Sequence, residues 1–260
     1  MYKAKKELGQ NFLLNFDIAH AMVDALDLVK DDTVVEIGAG LGALTQTLSD
    51  KTIGTNIIIH AVEIDARFTE KLNTMFLENL NLNVVKSDIL RWLPKFTPQG
   101  TYKILGSLPY YITSPILHSI VRHKVQPETC VLLLQKEVAQ KISNKAPKAS
   151  YFSTYLQTFY DAKIIEIVQR NHFNPIPKVD GAVLKLQKKT NQEISFSERL
   201  DYEEFLHHGF SKPRKMLNKI FSKDFLMSLK TDDKLRPQHI SIEKWVELFR
   251  QSRSAPQQSQ

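Results

Sequence analysis

At 260 residues, 42% of them hydrophobic and 24% charged, the chain has room for a sizeable core in one large domain or two smaller ones. Its single cysteine, Cys130, excludes an internal disulfide, and the apolar run around it, TCVLLLQ, predicts a buried thiol rather than a catalytic one. No apolar run approaches the ~18 residues of a membrane helix, and MYKAKKELGQNFLLNF lacks the core of a signal peptide, so a cytoplasmic protein with no membrane contact is expected, and a net charge of +7 points towards a polyanionic partner.

In chain order, the first periodic stretch is DIAHAMVDALDLV (17–29). Ile18, Met22, Ala25, Leu26 and Val29 recur at helical spacing, which predicts a helix. TVVEIG (33–38), IIIHAVEID (57–65), LNVVKSD (82–88), YKILGS (102–107) and TCVLLLQ (129–135) are short and almost continuously apolar. Strands of a parallel sheet covered on both faces have that pattern. A helical stretch, ITSPILHSIV (112–121), lies among them. The alternation predicts an α/β fold with a doubly wound, Rossmann-like sheet. AKIIEIVQR (162–170) and GAVLKLQ (181–187) have no helix between them and are expected to pair antiparallel at one sheet edge. KKTNQEIS (188–195) reads as a polar linker. After it DYEEFLHHGF, SKPRKMLNKIFSKDFLMSL and IEKWVELFRQ all read as helices. The expected division is therefore a first domain over 1–190 and a small all-helical domain over 191–260, ending in a disordered tail, SAPQQSQ.

The first strand runs into VVEIGAGLGALT (34–45). Gly38, Gly40 and Gly42 fall in a strand-to-helix turn, where glycine lets the backbone approach a ligand, and a helix opening at Ala43 offers free N–H groups. A glycine trio alone also suits a plain tight turn. The next strand ends at Glu63, placed to accept both hydroxyls of a ribose, and the third ends at Asp88. Three strand ends would then line one crevice. A dinucleotide is one ligand to weigh, but the spacing is GxGxG rather than GxGxxG. It also leaves GSLPYYIT (106–113) unexplained. S-adenosylmethionine accounts for both, with its ribose at Glu63, its adenine amino group at Asp88 and its methionine part along the glycine loop. Asp65 reads as a salt bridge or helix cap rather than a ligand contact.

LGQNFLLN (8–15), EIGAGLG (36–42), EID (63–65), SD (87–88), SLPYYITSPIL (107–117), LQKEVAQKI (134–142) and FNPIPKVDGAV (173–183) resemble, in order, the motifs of the KsgA-type ribosomal RNA adenine dimethyltransferases. Erythromycin-resistance rRNA methyltransferases and mitochondrial transcription factor B proteins are relatives of that family. The resemblance covers nearly the whole chain, and FSKPRKMLNKIF (210–221) and LRPQHIS (235–241) resemble the KsgA branch in particular. It implies a class I methyltransferase sheet with a small helical domain. It also implies transfer of methyl groups from S-adenosylmethionine, leaving S-adenosylhomocysteine, to N6 of two adjacent adenosines in a hairpin loop near the 3′ end of small-subunit (16S) rRNA during ribosome maturation. Carried over by position, Gln10, Asn11 and Leu13 frame the methionine end of the cofactor. Gly38, Gly40, Glu63 with Ile64, Asp88 with Ile89, and Ser107 follow the cofactor cleft. Leu108, Tyr110 and Phe173 hold a flipped adenine.

The adenine amino group is a poor nucleophile because its lone pair is delocalised into the ring. Two acceptors that take both N–H hydrogens in tetrahedral geometry draw the pair back to nitrogen. In the family these are an Asn or Asp oxygen and the carbonyl of the next residue; the matching positions here are Ser107 and Leu108. Pro109 stiffens the turn, Tyr110 would stack on one face of the base and Phe173 cover the other face or an edge. Each stacked base is worth roughly 1–3 kcal/mol. A loop target is favoured, because the base must leave its stack. No metal is required, and the eight histidines show no metal-ligand spacing.

Ser107 departs from the usual Asn and keeps open a non-catalytic rRNA-binding assembly factor; an adenine-N6 methyltransferase for large-subunit rRNA or DNA is the other alternative. Lys212, Lys215, Lys219 and Lys223 step at helical intervals and predict one basic stripe for RNA phosphates, joined by Arg214. Lys3, Lys5 and Lys6 form a second basic cluster, and Lys141, Lys145 and Lys148 a third. The expected partner is small-subunit rRNA or the pre-small subunit, met by a monomer.

Overall fold

The computed structural model describes residues 4–5 and 8–254, with Tyr110 described in its backbone alone. Of the expected tail SAPQQSQ, Ser254 is still helical, while residues 255–260, like Lys3 and Lys6 of the N-terminal basic cluster, lie outside the described residues.

The first elements are a two-residue strand, β1 (Phe12–Leu13), and α1 (Phe16–Asp24), which Asn15 caps by accepting the N–H groups of Asp17 and Ile18. α1 stops at Asp24, short of the expected end at Val29. Asp27 takes φ +51°, Asp32 accepts the Val29 N–H at 2.7 Å, and Val29 is exposed. The local turn competes with the helix for the same backbone donors, as Asp does readily. Leu26 stays fully buried all the same.

Strands and helices then alternate: β2 (Thr33–Ile37), α2 (Ala43–Lys51), β3 (Ile58–Glu63), α3 (Ala66–Met75), β4 (Leu82–Lys86), α4 (Ile89–Trp92), β5 (Tyr102–Ser107), α5 (Thr113–Arg122), β6 (Thr129–Gln135), α6 (Lys136–Ser143), α7 (Tyr151–Phe159), β7 (Tyr160–Val168), β8 (Phe173–Asn174) and β9 (Gly181–Lys188). One sheet has the order β4-β3-β2-β5-β6-β9-β7. β2 pairs in parallel with both β3 and β5, so the chain winds away from β2 in two directions. The gap between those two directions is the topological switch point, where open α/β sheets bind ligands. β5 and β6 span the expected stretches YKILGS and TCVLLLQ, and Cys130 is fully buried in β6. Both faces of these strands are covered by helices. Val34, Val35, Ile104, Leu105, Val131 and Leu132 are all inaccessible, and each such side chain contributes about 1.5–3 kcal/mol by leaving water. β9 runs antiparallel to β6, and β7 lies beyond it at the sheet edge, so the two late strands are neighbours as expected. A separate two-stranded sheet joins β1 to β8 with Leu13 opposite Phe173.

The chain divides into two compact units. One runs to Ala139 and includes Asp161–Lys188; the other comprises Gln140–Tyr160 and the chain from Lys189. The second unit holds α7 together with α8 (Arg199–Gly209), α9 (Lys223–Ser228) and α10 (Ile242–Ser254). Its centre is aromatic. Trp245 packs against Phe205 and Phe210, and Tyr202 against Phe249, with Trp245 and Tyr202 fully buried.

One expectation fails here. SKPRKMLNKIF is not a continuous helix, so the lysines do not form a helical stripe. Leu217–Lys219 makes a single 3-10 turn, Met216 is extended (φ −70°, ψ 156°), and Ser222 caps a new helix at Lys223 by accepting the Phe225 N–H. Pro213 supplies no N–H and disfavours helical geometry at Lys212. Further along, the N–H groups of Leu217 and Asn218 donate to the carbonyls of Leu235 and Asp233 at 2.8 and 3.1 Å, rather than back along a helix. Lys212, Arg214, Lys215, Lys219 and Lys223 are nevertheless all exposed.

Candidate active site

A cavity opens at the carboxyl ends of β2, β3, β4 and β5, at the switch point. Gln10, Asn11, Leu13, Gly38, Gly40, Glu63, Ile64, Asp88, Ile89, Ser107, Leu108 and Phe173 all stand in its wall. Every expected cofactor position is thus brought to one place, from segments as far apart as β1 and β8. Tyr110 lies next to this wall in the chain, but its side chain is outside the described residues. The five basic residues of 212–223 belong to the other unit.

The floor of the cavity is the turn between β2 and α2. Gly40 takes φ +53° and Gly42 φ +92°, left-handed backbone that only glycine adopts without strain. The loop is also fastened from outside, since Lys71 Nζ donates to the Leu41 carbonyl at 2.6 Å. A Cβ placed on Gly38 would meet only the Ser107 carbonyl oxygen, at 3.8 Å, so a side chain there would project into open space between the two strand ends. That cradle, glycine-floored with an acid on the next strand, fits the chemistry of a nucleoside-bearing ligand such as S-adenosylmethionine.

Glu63 ends β3 nearly buried. Its Oε2 accepts the Gly40 N–H at 2.9 Å and its Oε1 the Asp65 N–H at 2.8 Å. Burial pushes its pKa up, and the two N–H groups oppose that rise. These bonds fix the carboxylate while each oxygen keeps a further lone pair for a ribose hydroxyl. Asp88 caps α4, its Oδ1 accepting the Leu90 N–H at 2.9 Å. Gln10 Nε2 donates to Asp65 at 3.2 Å, and Asn11 Nδ2 to the Gly9 carbonyl at 3.1 Å.

On the opposite wall, Ser107 ends β5 half-buried. The Leu108 N–H donates to the Leu133 carbonyl at 2.8 Å, which ties the start of the loop to β6. Pro109 continues extended at φ −61°, ψ 136°. Phe173 is held in the core beside Leu133 and Val183, and the β1–β8 pairing sets it next to the N-terminal motif.

One residue of the site is not anticipated by the sequence reading. Glu36, the last residue but one of β2, is fully buried in the cavity wall. Its Oε2 accepts the Thr45 hydroxyl at 2.7 Å while Oε1 has no hydrogen-bond partner among the described residues. Burial raises its pKa to about 7, with the Thr45 bond opposing and the Glu63 charge adding to the rise. The period of two along a strand puts it on the same face as Gly38, a signal the sequence did contain. Asp65 shows the ion pair and cap expected of it, but with long-range partners described below. Among the described residues no group of three or more His, Cys, Asp or Glu could hold a metal. No helix among them is long and apolar enough to cross a membrane.

Comparison with known proteins follows the same lines. A family model described as "Ribosomal RNA adenine dimethylase" matches residues 1–252. The chain is 33% identical over 251 residues to the ribosomal RNA small subunit methyltransferase A of Sulfurihydrogenibium sp., covering 95% of each chain. It is 37% identical over 257 residues to the protein of the same name from Mycoplasmopsis pulmonis, covering 95% of this chain and 98% of that one. Among solved structures, a dimethyladenosine transferase from Plasmodium falciparum superposes with a TM-score of 0.77 at 23% identity, over 91% of this chain and 95% of that one. The 23S rRNA methyltransferase ErmE superposes at 0.74 with 24% identity, over 93% and 99%. Both likenesses establish the doubly wound fold.

Proposed function

The chain belongs to the ribosomal RNA adenine dimethylase family, and from that premise we infer how its cavity works. The protein is an rRNA adenine dimethyltransferase that acts on small-subunit rRNA, in line with the names of its family and relatives, and S-adenosylmethionine is its methyl donor. The observation that best supports the assignment of residues is the convergence of separate motifs on one cavity at the switch point. Its target is N6 of two adjacent adenosines in a hairpin loop near the 3′ end of that rRNA.

S-adenosylmethionine, when bound, supplies a methyl group on a sulfonium. Gly38 and Gly40 give its backbone-lined floor, Glu63 and Ile64 take the ribose, and Asp88 and Ile89 take the adenine. Gln10, Asn11 and Leu13 close the methionine end. Ser107 Oγ and the Leu108 carbonyl accept the two N–H hydrogens of the target amino group and restore its lone pair. Tyr110 and Phe173 hold the extruded base, and correct alignment supplies much of the rate. The proton of the methylated amine passes to water, so no strong base is needed. Lys212, Arg214, Lys215, Lys219 and Lys223 contact RNA phosphates, as a basic surface of exposed side chains does.

The test is incubation of the protein with labelled S-adenosylmethionine and small subunits that lack the modification. Label on two neighbouring small-subunit adenosines is expected. Label elsewhere than on those two adenosines would replace this target, and tight binding without label would make the protein an assembly factor.

A further inference from the structure

Asp65 stands just beyond β3, and the activity above makes no use of it. Solvent does not reach its carboxylate, because the charged side chains that pair with it also cover it. Two sets of donors converge there. From the first turn of α3 come the Arg67 backbone N–H at 3.2 Å and Nε at 3.0 Å on Oδ1, and Nη2 at 2.6 Å on Oδ2. From the N-terminal segment come Gln10 Nε2 at 3.2 Å and Lys5 Nζ at 3.4 Å, both on Oδ2. The Lys5 backbone N–H in turn donates to Gln10 Oε1 at 2.8 Å, so these two donors are held as a pair. Nearby, Phe12 packs edge-on against Phe68 of α3 with ring centres 5.3 Å apart. Residues 8–13 are a wall of the cavity, and the Asp65 N–H holds Glu63 on the other side.

A buried carboxylate is costly unless its charge is met. Arg67 belongs to the helix that Asp65 caps and stays with it. Gln10 and Lys5 reach it only while the N-terminal segment lies against the cavity. We propose that Asp65 is a positioning residue: it fastens Lys5 and the segment 8–13 as a wall of the cofactor cavity, and so sets the affinity for S-adenosylmethionine and S-adenosylhomocysteine without touching either. The inference rests on the cofactor reading of that cavity. The Arg67 guanidinium first, with Gln10 and Lys5 adding, holds the Asp65 carboxyl well below the usual carboxylate range. The fastening therefore persists at every pH near neutrality, and substitution rather than titration is the way to release it.

Asp65→Asn keeps the size and the cap acceptor but removes the charge. Calorimetric titration of the full chain with S-adenosylhomocysteine is expected to show affinity weakened about tenfold or more, the scale of effect that misplaced positioning groups have. Amides of residues 9–13 should exchange hydrogen faster. In turnover, KM for S-adenosylmethionine should rise while kcat at saturation holds, the pattern of a weakened binding contribution. Lys5→Ala, a change at a part-exposed side chain that leaves the core intact, should shift affinity and exchange the same way to a smaller extent, and carries the test if the Asn variant fails to fold. Unchanged affinity and exchange, or a fall in kcat at constant KM, would overturn the proposal. If the wild-type chain itself binds neither compound, the cofactor reading fails; if it binds and the variants match it, only the role of Asp65 does.

Discussion

Glu36 shows what one side chain costs when a site is built beneath it. Its carboxyl ionises near 4.5 unfolded and about 7 folded, so the native state holds the proton longer. Its contribution to stability is complete below the unfolded value and is lost as pH rises through the window between the two. The gap is worth on the order of 3 kcal/mol. Denaturant midpoints at pH 5 and pH 8 should thus differ in the wild type, and Glu36→Gln should shrink that difference; an equal drop in both would show that other groups set it. Ser107 is the second residue at issue. If its oxygen accepts from the target amino group, Ser107→Ala should lose roughly 10²-fold in kcat/KM, as removal of one preorganised polar group does. Full dimethylation by that variant would mean that the Leu108 carbonyl and stacking suffice.

Among elements, β5 and β6 were legible to the residue, because buried parallel strands are written as unbroken apolar runs. α1 and the segment 211–223 were not. Periodicity registers which side chains recur, but not whether the backbone donors between them are taken by something else. At 217–218 those donors go to the carbonyls of Leu235 and Asp233, a partner that no local window contains. The lysines keep their exposure without the helix, so a prediction at this level survives in altered form. Charge reversal at Lys215 and Lys219 together should weaken rRNA binding across sequences and reduce its salt slope by about two, close to one for each phosphate that is no longer neutralised. Equal slopes for variant and wild type would place the phosphate-binding groups elsewhere.

Over the whole chain, a ligand that binds only the folded state stabilises it by mass action. S-adenosylhomocysteine at 100 times its Kd should add about 2.7 kcal/mol and raise the thermal midpoint by several degrees. A scan with and without it would show this, and no shift would count against the cavity as its site. By itself the sequence determined the α/β class, the order along the chain of the seven strands of the main sheet, the motifs at the strand ends and the family, since each is carried by residue type and spacing. Tertiary structure alone decided that Leu13 lies opposite Phe173, that Glu36 sits buried in the cavity wall with Thr45 on one oxygen only, that Gln10 and Lys5 meet Asp65, and that Gln140–Tyr160 joins the chain from Lys189 in one unit. The physical reason is the same in each case. Local propensity and pattern act over a turn or a strand, whereas pairing across 55 residues from Gln10 to Asp65 is settled by which buried charge or carbonyl is left wanting once the sheet has closed.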